Sequence, residues 1–414
     1  MRDAGPGAPP HLGVTRRQRC PLDGVVAQLH VAALPFPSPQ GTQAALRFML
    51  EALRGAGVPV RLLTYPHGQG PPPAGIPIER LLPLPPVRSL RSGPSLGKVL
   101  LDAQLLLRLR RRLRRRPPGR LIAHHVEAAA AAALAAPGFP FAFFAHTALG
   151  PELPSYLPRR VPAGPLRAAG EQLDRWLLGR ARWTLAISPA LAVHLERLGG
   201  RPVSVVPPPW PLPAPLRAEE RAEARQRLGL LPEHEVLLYA GNLDAYQGWE
   251  ELLVALARLA PRRPRIQLLI ATASAPEPVL RLAGRLGVLA RLRLAPLGHE
   301  ADRRRAHAAA DVALVPRVAP GGLPVKLLDG LARGLPLVAA RRAMAGFPPP
   351  EAVRLVDRPE PERWTGGLVP LLDAPVARRQ RLGEAGRAWV AEHFSAARFV
   401  ERFERALRGG PLIT

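Results

Sequence analysis

PPPWPLPAPL, Pro207 to Leu216, divides the chain in two. Six prolines in ten residues cannot continue a helix or a central strand, because each removes an amide donor and fixes φ. The stretch reads as a linker of extended, stiff backbone. On both sides of it short apolar β-rich runs alternate with helix-length amphipathic segments. Before it, strands are expected at Val25 to Ala33, Val58 to Tyr65, Leu121 to His125, Phe141 to His146, Thr184 to Ile187 and Val203 to Val206. Thr42 to Ala56 is a helix whose Ala45, Leu46, Met49, Leu50 and Leu53 share one stripe. Ser188-Pro189 starts another, a capping hydroxyl followed by proline at the first helical position. After the seam, strands are expected at Val236 to Gly241, Ile266 to Ala271, Leu292 to Ala295, Val312 to Val315 and Leu337 to Ala340. Strands alternating with helices imply parallel sheets covered on both faces. The fold class is therefore α/β, with two doubly wound domains facing a cleft and ligands at the carboxyl ends of the strands.

The domain boundaries follow. Residues 1–24 form a basic, poorly ordered leader and residues 25–207 the first domain. Residues 208–217 are the proline-rich linker, 218–376 the second domain, and 377–414 closing C-terminal helices. With 414 residues, 47% of them hydrophobic, the chain can build two real cores, which excludes native disorder for most of it. Cys20 is the only cysteine, which excludes a disulfide-stapled module. The best uncharged stretch, Ala128 to Ala145, is mostly alanine and broken by Pro137, Gly138 and Pro140, so no membrane span is expected. The leader lacks a signal-peptide core, and a cytoplasmic location is expected.

The formal charge is +26, and only Lys98 and Lys326 among the 58 basic residues are lysines. The excess lies in the first part, with 27 basic against 10 acidic residues up to Pro207 and 31 against 22 beyond it. Surface solubility and an anionic partner are both compatible with it. Seven arginines crowd Arg108 to Arg116. The run Leu100 to Arg116 places Leu101, Leu105 and Leu109 at helical spacing under that arginine cap. It is either a solvated amphipathic helix or a docking element for an anionic membrane surface, which would set the protein at the inner face of the membrane. Nucleic acid is not expected as a partner, since aromatics are 5% of the chain and no nucleic-acid-binding motif is present.

Two loops are candidates for binding phosphate. In Leu34-Pro-Phe-Pro-Ser-Pro-Gln-Gly-Thr-Gln43, prolines stiffen the turn and Gly41 lets backbone approach a ligand at a helix start. An ordinary strand-to-helix turn would look the same. In Val315-Pro-Arg-Val-Ala-Pro-Gly-Gly-Leu-Pro-Val-Lys-Leu-Leu-Asp329, a strand ends in a Gly-Gly turn and a helix is expected to start near Leu323. Arg317 and Lys326 bring positive charge there, and Asp329 lies one turn beyond Lys326. A lysine kept in a chain that writes nearly every cation as arginine suggests a compact ammonium is needed. His146 follows the apolar strand Phe-Ala-Phe-Phe and should reach the sheet's carboxyl edge. A histidine at that place is either catalytic or a satisfied structural group.

These motifs, together with His124-His-Val-Glu127, His146-Thr-Ala-Leu-Gly-Pro-Glu-Leu-Pro-Ser-Tyr156, Ala186-Ile-Ser-Pro189, Val205-Val-Pro-Pro208 and Tyr239-Ala-Gly-Asn-Leu-Asp-Ala-Tyr-Gln-Gly-Trp-Glu250, resemble a family 4 glycosyltransferase of the retaining, GT-B fold type. The likeness runs from about Val25 to Phe403. It implies two Rossmann-like domains and transfer of a sugar from a nucleotide-diphosphate donor to the hydroxyl of a glycan, a lipid-linked acceptor or a small molecule. It implies no cofactor and no metal, and the sequence has no D-x-D carboxylate pair. Carried over by position, Asp329 binds the ribose, and Gly321, Gly322 and Leu323 offer backbone to the phosphates beside Lys326. Gly41 closes on the diphosphate, and His146 contacts the donor sugar. Glu127 and Glu152 are acceptor-side candidates, though each would serve equally to cap a helix or pair with an arginine.

The chain departs from that family at four positions. Gly321 stands where the first of two spaced glutamates is usual, and Asp329 stands for the second. Asn242 and Gln247 occupy the places of an arginine and a lysine that grip phosphate. Arg317 and Lys326 are the cations able to replace them. These departures support an alternative, a relative of the same fold that is weak or inactive in catalysis and acts as a binding or partner subunit.

Overall fold

The computed structural model describes residues 26–38, 40–83, 95–156, 161–317, 322–357 and 360–408. The expected leader and Gly321 lie outside the described residues. In the first lobe the chain runs β1 (Gln28–Ala32), α1 (Gly41–Gly55), β2 (Val60–Thr64), β3 (Ile78–Arg80), α2 (Leu96–Arg115), β4 (Arg120–His124), α3 (His125–Ala135), β5 (Phe141–Ala145), α4 (Leu149–Glu152), α5 (Ala163–Arg180), β6 (Trp183–Ala186), α6 (Pro189–Gly199) and β7 (Ser204–Val205). The second lobe runs α7 (Ala218–Arg227), β8 (Glu235–Ala240), α8 (Trp249–Leu259), β9 (Ile266–Thr272), α9 (Glu277–Arg285), β10 (Leu292–Pro296), α10 (Glu300–Ala309), β11 (Val312–Val315), α11 (Val325–Ala332), β12 (Leu337–Ala340), β13 (Val353–Val356) and α12 (Pro361–Leu372). Two closing helices follow, α13 (Val376–His393) and α14 (Ala396–Leu407).

The strands form two sheets, a seven-stranded one in the order β3-β2-β1-β4-β5-β6-β7 and a six-stranded one in the order β10-β9-β8-β11-β12-β13. Their pairings are parallel throughout, including β1 with β4 and β8 with β11. Strands β1, β5, β9, β11 and β12 are buried along their whole length, which is why they read as continuous apolar runs. Strand order reverses between β1 and β4 in one sheet and between β8 and β11 in the other. A crevice opens at the carboxyl end of a sheet where the order reverses.

The expected strands are all present within a few residues. Two strands were not read from the sequence, β3 and β13, and both lie at sheet edges, where pairing on one side suffices and the apolar signal is short. The helix expected near Leu323 begins at Val325 instead. Pro324, at φ −70° and ψ 115°, pushes the residue before it out of helical geometry. The proline seam holds neither helix nor strand, and its first part is not a solvated tether. Pro207 to Trp210 are buried, the Trp210 ring meets Phe48 edge-on at 5.2 Å, and its amide donates to the Phe394 carbonyl at 2.8 Å.

That last bond marks the return of the C-terminus. Helix α13 lies along α11 of the second lobe. The chain then crosses back, and α14 packs against α1 of the first lobe. Ser395 caps it, accepting from the Arg398 amide. Its Phe399 and Phe403 are fully buried, and Phe403 packs on the rings of His30 and Phe144. Phe403→Ala is expected to lower unfolding free energy by about 3–5 kcal/mol in urea denaturation, the usual cost of emptying a buried aromatic site.

Candidate active site

The two lobes touch where glycines allow it. A Cβ on Gly322 would stand 2.1 Å from the backbone carbonyl oxygen of His146 and 2.8 Å from Ile187 Cδ1. A Cβ on Gly41 would stand 2.5 Å from Val325 Cγ2. These contacts bring the start of α1 against the start of α11. Neither helix has a side-chain cap or an acidic residue in its first turn, so both offer free amides and positive dipole ends at one place.

Lys326, on the first turn of α11, is half-buried beside them. Its Nζ donates to Gln247 Oε1 at 2.7 Å and to the Tyr239 hydroxyl at 3.1 Å, and it lies 4.3 Å from the centre of the Tyr239 ring. The ammonium runs so close over the end of β8 that a Cβ on Gly241 would meet Nζ at 2.9 Å. Burial, and then the charge of Arg317, lowers its pKa to about 7. Arg317 extends from the end of β11 toward the other lobe. Its Nη2 is 4.0 Å from Glu152 Oε1, its guanidinium lies 5.6 Å from the Tyr246 ring, and its buried Nε has no partner. Burial raises the Glu152 carboxyl above its ordinary range.

The two departures at phosphate-binding positions have different fates. Gln247 is buried and supports Lys326. Asn242 is exposed and donates to Asp244 Oδ2 at 2.6 Å. Leu323 is buried and leads into Pro324. Asp329 is also buried. Arg333 Nε donates to its Oδ1 at 3.0 Å, while Arg303 Nη1 and His307 Nε2 stand 3.6 and 3.8 Å from Oδ2. Burial opposes its ionisation, but His307, Arg333 and Arg303 prevail and hold its pKa below the usual carboxylate value. Of a carboxylate's roughly four lone-pair sites, one is taken by a close hydrogen bond from the described residues, that of Arg333.

On the first lobe His146 is buried. Its Nε2 is 3.1 Å from His124 Nδ1, and burial, then His125, drives its pKa well below the ordinary value. The His125 ring stacks on it at 4.3 Å. His125 has φ 69°, a conformation uncommon outside glycine and a form of strain that gathers at functional sites. Its Nε2 is buried without a partner. Glu127 accepts from Lys98 Nζ at 2.8 Å. Burial raises its carboxyl, and Lys98 and His125 outweigh that and leave its pKa lowered. The site thus contains His124, His125, Tyr239 and Tyr246, which the sequence showed only as members of the quoted motifs and to which it assigned no role. The paired histidines at a strand end were the available signal. An open cavity of about 750 Å³ lined by Phe139, Trp183 and Arg201 lies at the opposite, amino-terminal edge of the first sheet, away from these groups.

Comparison with known proteins meets this geometry. Residues 40–210 match the Glycosyl transferase 4-like domain family, and residues 234–373 match the Glycosyl transferases group 1 family. The chain belongs to the GT-B glycosyltransferases. D-inositol 3-phosphate glycosyltransferase of Segniliparus rotundus is 30% identical over 293 residues, 66% of this chain and 63% of that one. A GDP-mannose-dependent monoacylated α-(1-6)-phosphatidylinositol monomannoside mannosyltransferase of Corynebacterium glutamicum is 30% identical over 48% of this chain and 53% of its own. The GT-B chain thus spans less than two thirds of the length of these curated relatives. Among solved structures, sucrose-phosphate synthase from Thermosynechococcus elongatus superimposes with a TM-score of 0.77 at 18% identity, covering 92% of this chain and 98% of that one. Anabaena HepE in complex with UDP and glucose superimposes at 0.70 and 17% identity, covering 93% and 100%.

The two glycine contacts predict different responses. Gly41→Ala presses on a side-chain tip, so it costs about 1–3 kcal/mol of overpacking and is relieved by adding Val325→Ala. Gly322→Ala presses on the His146 carbonyl and has no such relief. Melting temperatures of the three variants check this.

Proposed function

We propose that the protein transfers a sugar from a nucleotide-diphosphate donor to an acceptor hydroxyl, with retention and without a metal. The observation that carries this reading is the meeting of two uncapped helix starts with Lys326 and Arg317 at the carboxyl ends of both sheets, opposite His146. The diphosphate lies against α11 and α1, where free amides and the two cations receive its charge. Asp329, held rigid by Arg333, accepts from the ribose hydroxyls with its remaining lone pairs. In the reaction the bond from the anomeric carbon to the diphosphate oxygen breaks, and the acceptor oxygen bonds to that carbon on the same face. The acceptor's proton goes to the departing diphosphate, so no protein base is required. The protein positions the reactants and stabilises the charge that grows on the leaving group. Glu127 and Glu152 border the acceptor side. The relatives named for inositol phosphate and phosphatidylinositol acceptors put polyol phosphates and their lipids first among the acceptors to try.

Helix α2 supplies the second part of the proposal. Its Leu101, Leu105 and Leu109 face inward and are fully buried. Val99, Leu100 and Leu107 are 61%, 56% and 53% exposed, and Arg108, Arg110, Arg111, Arg114 and Arg115 are exposed beyond them. Apolar residues followed by a cationic end suit an anionic lipid surface. Among the described residues no helix is long and apolar enough to cross a membrane.

A panel of nucleotide sugars tests the first part. The native donor raises the melting temperature by mass action, and Lys326→Ala lowers kcat/KM about a hundredfold, as for loss of one preorganised charge-stabilising donor. Stabilisation without turnover by any donor and acceptor pair would favour the partner-subunit alternative. The pH dependence has a definite sign. An anionic diphosphate favours charged Lys326, whose pKa is about 7 in the free protein. Nucleoside diphosphate affinity is therefore greatest below pH 7 and falls as the pH rises above it, as titration calorimetry at several pH values would show. For the free protein the depressed value means fewer protons bound folded than unfolded above pH 7, so this group makes stability rise with pH between 7 and its unfolded value. For the membrane part, co-sedimentation with anionic vesicles at low salt is expected, with loss on Leu100→Glu/Leu107→Glu.

A further inference from the structure

A line of hydrogen bonds runs through the core of the first lobe and ends at His146. Arg120 Nη1 pairs with Glu404 Oε2 at 2.5 Å. The other oxygen, Oε1, accepts from Gln28 Nε2 at 3.0 Å. Gln28 Oε1 is 3.2 Å from His30 Nε2, His30 Nδ1 is 2.9 Å from His124 Nε2, and His124 Nδ1 is 3.1 Å from His146 Nε2. Gln28, His30 and His124 are at most 2% exposed. The line follows from the pleat. Gln28 and His30 are two apart on β1, His124 ends β4 beside Ala32, and His146 is two beyond Phe144, the partner of His124 on β5. They share one face of the sheet, the face that α14 covers with Phe403 and Glu404.

The chemistry of the far end sets the direction of every bond. An ionised carboxylate only accepts, so Gln28 turns its amide N–H to Glu404 and its carbonyl to His30. His30 must then donate from Nε2, which in a neutral ring leaves Nδ1 as an acceptor. His124 donates to it from Nε2 and accepts at Nδ1, and His146 donates from Nε2. The rings are neutral because burial lowers His30 to about 3 and His124 and His146 well below the ordinary value. The only ring nitrogen left is Nδ1 of His146, which makes no hydrogen bond among the described residues.

We propose that Glu404, acting through Gln28, His30 and His124, fixes the tautomer of His146, so that His146 meets its ligand as a hydrogen-bond acceptor at Nδ1. Glu404, Gln28, His30 and His124 are positioning residues, and their link to sugar binding rests on the function proposed above. A bare Nδ1 accepts from a hydroxyl and repels a phosphate oxygen, so it directs the sugar rather than the diphosphate to this ring. Orientation of a ring by the partner of its other nitrogen is a general use of histidine. Four positioning residues precede His146 in the line, and its anchor, Glu404, is contributed by the C-terminal helix.

Two-bond proton–nitrogen correlation spectra of the intact, ¹⁵N-histidine-labelled protein test it. Neutral rings protonated at Nε2 are expected for His30, His124 and His146. A His146 ring protonated at Nδ1, or an imidazolium, overturns the proposal, and this result needs no variant to fold. Glu404→Gln removes the obligatory acceptor, so His146 is expected to show a mixture of tautomers and kcat/KM to fall roughly three- to tenfold, the worth of one net hydrogen bond. Adding Gln28→Glu restores a carboxylate acceptor next to His30, and the single Nε2–H form and the activity should return together. An unchanged His146 spectrum in Glu404→Gln, or a double variant in which the tautomer stays mixed, also overturns it. If no nucleotide sugar binds or reacts, the proposed function fails, while the spectra still decide the tautomer.

Discussion

Close approach of two backbones organises this protein. The carbonyl of His146 occupies the space in which any side chain on Gly322 would begin, and the backbone of Gly41 lies as close to the side chain of Val325. Each sheet by itself would present a crevice at its carboxyl edge where the strand order reverses. The Cβ-free contacts set those two edges face to face, so that the start of a helix from each lobe, a cation from the second lobe and a histidine from the first reach one small volume. A wider junction would part Gly322 from the His146 carbonyl and Arg317 from Glu152.

Within that volume the kind of partner matters more than the number of charges. The chain carries a formal +26, and many of its arginines are exposed or paired with carboxylates. Lys326 instead leans on a neutral amide oxygen and a phenol. Neutral acceptors orient the ammonium without neutralising it, and burial, then the charge of Arg317, lowers its pKa. In the proposed function the incoming diphosphate supplies the negative charge that this ammonium lacks. Asp329, one turn along the same helix, is the converse case, a carboxylate kept ionised by a surplus of cations around it. The glutamine that replaces an expected cation at position 247 is therefore the support of the lysine that remains.

The return of α14 to the first lobe joins stability to the site. Phe403 fills the layer above His30 and Phe144, and the next residue, Glu404, enters the polar line that leads to His146. Most buried polar groups find a partner, and a line of imidazoles can satisfy itself in only one sense once its last acceptor is a carboxylate. The far end of the chain thereby reaches the junction of the lobes without touching it.

Much of the architecture was legible in the sequence. Parallel strands buried on both faces must be written as apolar runs, and Pro207 to Leu216 had to separate two such series because proline cannot continue either kind of element. The Gly-Gly turn, the isolated Lys326 and the histidine at the end of an apolar strand were visible for the same local reason. Edge strands β3 and β13 were not, since an edge needs no long apolar signal. The burial of Trp210, the support of Lys326 by Gln247 and Tyr239, the stacking of His125 on His146, and the bond from Glu404 to Gln28 across 376 residues of sequence were settled only by tertiary structure. Each depends on where two distant segments end up in space, and local periodicity and composition carry no record of that.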